Sequence, residues 1–132
     1  MFEIEKTQSC LGAYVKGLDL SKSFSERTLG ELKNALSDNE VLFFRNQNIT
    51  HEDHKRLASS FGLMQTHPAY PTIDGFPEIT ILENDEKNPS KIEEWHTDMT
   101  FKKNPPLGSI LIGKIIPETG GDTMFSSLSK AY

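Results

Sequence analysis

The chain has 132 residues, 36% of them hydrophobic and 25% charged, with a formal net charge of −5 and a pI near 5.3. That acidic balance disfavours a general nucleic-acid or membrane-surface binder, because phosphate contacts need clustered Lys and Arg. The single cysteine, Cys10, excludes an internal disulfide and a thiolate zinc cluster within one chain, and no run approaches the roughly 20 apolar residues of a membrane span.

In chain order, "FEIEK" and "AYVKG" alternate apolar and polar residues and predict two half-buried strands. Ser25 reads as the N-cap of a helix carrying Leu29, Leu32, Ala35 and Leu36 at helical spacing. "VLFFRN" predicts a buried strand from Val41 to Arg45. Thr50 heads a second helix, with Asp53 at the capping-box position, Leu57, Ala58 and Phe61 on one side, and Gly62 as its stop. "EITILEN" predicts a strand and "NDEKNPSKIEE" a polar loop. "HTDMTF" predicts a strand that puts His96, Asp98 and Thr100 on one side. After the break at "KKNPP", Leu107 to Ile116 forms the longest strand candidate. "PETGGD" is a turn, "TMF" a brief strand, and "SSLSKAY" the start of a helix. The length fits one domain at most, residues 1–132, without repeat or internal boundary. An ending inside an incipient helix, soon after the longest strand, reads as cut. With an acidic start lacking an apolar signal core, the expected location is the reducing cytoplasm.

His-x-Asp occurs twice among four histidines and seven aspartates, so the pattern alone carries little weight. Geometry separates the two copies. His51 and Asp53 sit on a predicted helix, where residues two apart point about 200° away from each other. His96 and Asp98 sit on a predicted strand, where i and i+2 leave the same face and can share one cation. The plain alternative is a hydrogen-bonded polar pair. His51 and His54, three apart on the helix, form a second metal candidate, set against a solvated first turn. Two histidines and a carboxylate on one face of an octahedron are the non-haem Fe(II) oxygenase arrangement. His67 is the remaining internal candidate for a second histidine.

The stretches "GLDLS", "VLFFRNQNIT", "LASSFG", "HPAYP", "EWHTDMTF", "PPLGSIL" and "TGGDTMFSS", in that order, resemble the taurine dioxygenase family of Fe(II)- and 2-oxoglutarate-dependent oxygenases. The resemblance runs from Val15 to Tyr132. It implies a mainly β fold with flanking helices, a double-stranded β-helix (jelly roll, cupin-like) that is incomplete in this chain. It implies iron held by His96 and Asp98, 2-oxoglutarate as co-substrate with Thr123 on its far carboxylate, and molecular oxygen as the oxidant. Oxidative decarboxylation would yield succinate and carbon dioxide while a small organic acid, a sulfonate for instance, is hydroxylated. His67 and Tyr70 match positions that line the substrate pocket, which assigns His67 to substrate rather than to iron. Ile92 replaces an asparagine of taurine oxidisers, and Met99 falls at an apolar pocket position. The loss of that asparagine disfavours taurine itself, and the pocket implied is more apolar than that of a taurine enzyme.

The family's second iron-binding histidine and its 2-oxoglutarate arginine come from a carboxyl-terminal half. Arg27, Arg45 and Arg56 lie outside the matching context. The chain alone is therefore expected to hold iron weakly and to be inactive, and to self-associate or pair with a complementing chain. The alternative is a non-catalytic family relative that acts as a binding or assembly partner.

Overall fold

Period-two patterning near the start produces the two strands expected of it. β1 (Glu3–Lys6) pairs antiparallel with β2 (Ala13–Lys16), aligning Ile4 with Val15. In β2, Ala13 and Val15 are buried while Tyr14 is half-buried and Lys16 exposed, the alternation of a one-sided strand. The computed structural model describes residues 2–67, 70–85, 87–90, 92 and 94–132. It divides into two compact units, Met1–Ile49 with Ile112–Tyr132, and Thr50–Leu111. The sequence shows no linker composition at these boundaries.

In the first unit, α1 (Glu26–Asn39) begins at Ser25, whose hydroxyl accepts the Thr28 N–H at 3.1 Å. Its buried side carries Leu32, Ala35 and Asn39, and the Asn39 amide is satisfied by donating to the Ala35 carbonyl at 2.8 Å. The helix ends at Glu40, in the left-handed region at φ 65°, whose N–H returns to the Leu36 carbonyl. The chain then enters β3 (Leu42–Phe43), which pairs parallel with β2, so α1 is the crossover that a parallel pair requires. Ala13, Val15, Leu20, Leu32, Ala35 and Ile49 form the core, and Leu32 is fully buried. Gly12, at φ 90°, takes a conformation that favours glycine, and a Cβ there would also stand a tight 3.0 Å from the Phe43 ring. The Gln47 amide ties two loops together by accepting from Leu20 N and donating to the Leu18 and Arg45 carbonyls. Later in the unit, a one-turn helix, Leu128–Ala131, starts at Ser127, a buried hydroxyl that donates to Glu40 Oε1 at 2.8 Å.

The second unit opens with α2 (His51–Phe61). Thr50 and Asp53 complete a reciprocal capping box, as the sequence predicts. A hairpin follows, β4 (Thr72–Ile73) against β5 (Phe76–Thr80), turning at Asp74–Gly75 with Gly75 at φ 78°. Lys55 on α2 forms an ion pair with Glu78 on β5, and His51 lies 5.6 Å from the Phe76 ring, centroid to centroid.

Several expected strands take other forms. Of Val41–Arg45, only Leu42–Phe43 is strand, and "EITILEN" is strand only as far as Thr80. Residues 96–101 are not a strand, because Met99 at φ 58° turns the chain and its carbonyl accepts the Lys102 N–H at 3.1 Å. Neither 107–116 nor 123–125 is a strand. Both are apolar runs, but a strand also needs a ladder partner, and no described strand pairs with either. What results is a fold of short strands and coil with few helices. None of its helices, among the described residues, is long and apolar enough to cross a membrane.

Candidate metal centre

The second unit brings His96 and Asp98 together without the strand that was expected to do so. His96 Nε2 lies 3.3 Å from Asp98 Oδ1. Each of these two facing groups is held by a bond made on its far side. His96 Nδ1 lies 2.9 Å from the Glu94 carbonyl oxygen, which can only accept, so Nδ1 carries the proton and donates. In the neutral ring, Nε2 then presents its lone pair to Asp98. On the carboxylate, the Ser109 hydroxyl donates to Oδ2 at 3.2 Å, leaving Oδ1 turned towards the imidazole.

Two lone-pair donors facing each other at this separation suit a shared cation. Adjacent ligands on an octahedron with bonds of about 2.1 Å stand about 3.0 Å apart, close to the separation found. The residues therefore fit a hard or borderline divalent ion. The pair is also accessible, with side-chain exposures of 54% and 61%. No cluster of three or more metal-ligating side chains occurs among the described residues.

The other predicted residues fall as follows. His67 and Tyr70 are side by side, ring centroids 4.9 Å apart, although Pro68 and Ala69 between them lie outside the described residues. Ile92 is exposed, and its N–H donates to Ser90 Oγ at 3.3 Å. Lys91 and Glu93 beside it lie outside the described residues. Met99 is half-buried at the turn immediately after Asp98. Thr123 is exposed in the first unit, two residues after the Gly120–Gly121 turn, whose φ values are 79° and 69°. The helical His51/His54 candidate finds no support. His54 Nε2 is engaged with the Ile110 carbonyl at 3.0 Å, and His51 packs on Phe76.

Three contributors escaped the sequence reading. Ser109 was placed on a strand, although a lone hydroxyl within "LGSIL" is the kind of residue that seeks a polar partner. The Glu94 carbonyl is backbone and leaves no sequence signal. Gln65 donates to the Asn104 carbonyl at 3.1 Å and accepts from Lys102 Nζ at 2.6 Å. It thereby ties the segment leading to His67 to the turn that follows Asp98.

Comparison with known proteins places the chain in a family. The chain is 37% identical over 131 residues to an alkylsulfatase of Acinetobacter baylyi, covering 98% of this chain and 41% of that protein. It is 32% identical over 123 residues to an alpha-ketoglutarate-dependent sulfate ester dioxygenase of Pseudomonas putida, covering 92% and 40% respectively. The chain thus spans about two fifths of the length of these curated relatives. A solved taurine dioxygenase from Burkholderia xenovorans superposes with a TM-score of 0.54 at 30% identity, over 58% of this chain and 28% of that one. The sequence profile described as "Taurine catabolism dioxygenase TauD, TfdA family" matches residues 3–132, and the chain belongs to that family.

Proposed function

We propose that this chain carries the metal-binding segment of an Fe(II)- and 2-oxoglutarate-dependent dioxygenase that hydroxylates a small organic acid bearing a sulfate ester or sulfonate group. One observation carries the reading: His96 Nε2 and Asp98 Oδ1 face each other 3.3 Å apart, each anchored from behind. In this reading the chain is part of a single dioxygenase domain, a jelly roll completed by residues that correspond to the rest of the relatives' length. Likeness to a solved taurine dioxygenase supports the fold, and the names of the relatives support the substrate class.

His96 and Asp98 would hold the iron. When bound, iron and 2-oxoglutarate supply the oxidising power, with one oxygen atom of O2 entering a substrate C–H bond and the other entering succinate as carbon dioxide leaves. The chain's own residues do the rest. The Glu94 carbonyl and the Ser109 hydroxyl orient the two ligands. Thr123 offers a hydroxyl to a 2-oxoglutarate carboxylate. The His67 imidazole and Tyr70 phenol, in contact, offer N–H and O–H donors to an anionic head group. Ile92 and Met99 favour an alkyl body over the compact polar skeleton of taurine. Large exposed apolar residues of the first unit, including Ile115, Ile116 and Met124, support a surface covered by further residues of the same polypeptide, by a second copy or by a complementing chain. Cytoplasmic residence suits the single, unpaired and exposed Cys10.

The test is substrate-dependent succinate release from 2-oxoglutarate under Fe(II), for the chain and for any longer polypeptide or complex containing it. Hexyl sulfate, hexanesulfonate, taurine and an aryloxy acid form the panel. The expected result is turnover of the alkyl sulfate or sulfonate in the larger assembly and little in the chain alone. The visible charge-transfer band of the anaerobic Fe(II)–2-oxoglutarate complex should disappear with His96→Ala. A band that survives that substitution contradicts the assignment. Absence of succinate release in every assembly would leave the non-catalytic reading standing.

A further inference from the structure

Asp98 has two oxygens, and a carboxylate free to rotate can offer both to one metal ion. The structure gives the two oxygens different work. Oδ2 accepts the Ser109 hydroxyl at 3.2 Å, and Oδ1 faces His96 Nε2 at 3.3 Å. Ser109 comes from the run that follows the "NPP" break, eleven residues further along the chain, so this restraint is independent of the local turn at Met99. Asp98 is well exposed and, among the described residues, accepts no other hydrogen bond, so the serine is what sets its rotation.

We infer that Ser109 is a positioning residue that holds Asp98 as a one-oxygen metal ligand. The inference rests on the reading of His96 and Asp98 as metal ligands. Its consequence is a matter of counting. A bidentate carboxylate would fill two adjacent positions on an octahedral ion, and a monodentate one fills a single position. With Oδ2 occupied by the serine, the position it would take stays open for another donor, such as the second oxygen of a chelating 2-oxo acid. The bond also removes rotational freedom from Asp98 before metal arrives, lowering the entropy lost on binding.

Mn(II) is a suitable probe because it is redox-stable in air and its free form is counted by electron paramagnetic resonance. Titration of the full chain with Mn(II) should give an affinity about tenfold weaker for Ser109→Ala, the lower end of the range for loss of an outer-shell partner. Ser109→Thr, which keeps the hydroxyl, should restore most of the loss. The discriminating readout is the infrared difference spectrum, Mn(II)-bound minus apo, with 13C-labelled aspartate. The wide splitting between asymmetric and symmetric carboxylate stretches of a monodentate ligand should narrow in Ser109→Ala as Asp98 turns to bind with both oxygens. A general structural defect would weaken binding without changing that splitting, and circular dichroism of each variant checks its folding. If Ser109→Ala keeps both the affinity and the splitting while Asp98→Ala abolishes binding, the serine role is wrong and the metal assignment stands. If Asp98→Ala binds Mn(II) as the wild type does, the metal assignment fails and the serine role fails with it.

Discussion

Gln65 provides the sharpest quantitative test of how the candidate site is held. Its side chain bonds to both ends of the turn after Asp98, donating to the Asn104 carbonyl and accepting from the Lys102 ammonium. Net contributions run at about 0.5–1.5 kcal/mol for a neutral hydrogen bond and more for one to a charged group, with exposure keeping both near the low end. Gln65→Ala should therefore cost about 1.5 kcal/mol of local order. If that order is restored only when metal binds, Mn(II) affinity falls about tenfold, since about 1.4 kcal/mol corresponds to a factor of ten. Gln65→Glu keeps an acceptor for Lys102 and loses the donor to Asn104, so its loss should be smaller, roughly threefold. A double-mutant cycle of Gln65→Ala with Lys102→Met, read by Mn(II) titration and urea unfolding, should give a coupling of about 0.5–1 kcal/mol. The reasoning is refuted if the two substitutions are additive and Gln65→Ala binds Mn(II) like the wild type while His96→Ala does not.

Other outcomes follow from single contacts. Leu32→Ala, at the fully buried centre of the first unit, should lower stability by about 3 kcal/mol in urea unfolding, whereas Asn34→Ala on the exposed side of α1 should stay within about 0.5 kcal/mol. Lys55 holds the Glu78 carboxyl below its usual range, chiefly through their hydrogen bond, and the Thr50 N–H, followed by Arg56, does the same for Asp53. Both folded values lie below the unfolded ones, so this stabilisation is fully present above about pH 4.5 and is lost as pH falls through the folded values. Acid unfolding of the second unit, followed by Trp95 fluorescence, should lose part of its pH dependence below that point in Glu78→Gln. Ile92→Asn should shift preference from hexyl sulfate towards taurine in any active assembly. An unchanged ratio of kcat/KM values would remove Ile92 from the pocket.

The sequence was most legible where structure is local. Both long helices begin at the predicted caps, because a Ser or Thr hydroxyl facing the third following N–H is decided within one turn of chain. The first two strands were also legible, since they pair with each other across a short connection. The strands expected at 96–101 and 107–116 failed for a common reason. Apolar alternation states what a segment prefers once a partner is present, while the partner itself is a non-local fact. The β4–β5 hairpin was missed because its strand residues include Pro77 and its first strand is only two residues long. At the site, residue types were legible through the His-x-Asp spacing and the family resemblance. Their anchors were not, because Ser109 and Gln65 act across 11 and 37–39 residues of chain.

That mixture clarifies what the His-x-Asp spacing requires. A strand was the expected means of bringing the imidazole and carboxylate to one face, and the strand is absent, yet the two groups meet. What remains necessary is a spacing of two with a backbone that does not wind helically through it, plus separate restraints on each side chain. Here the restraints are the Glu94 carbonyl, two residues before His96 and behind its ring, and the Ser109 hydroxyl behind Asp98. The left-handed Met99 turns the chain directly after Asp98, so only the three residues His96 to Asp98 need the right course. A pair built this way depends less on sheet pairing than a strand-borne pair does. It can therefore be present in a segment whose later apolar runs are still without ladder partners among the described residues.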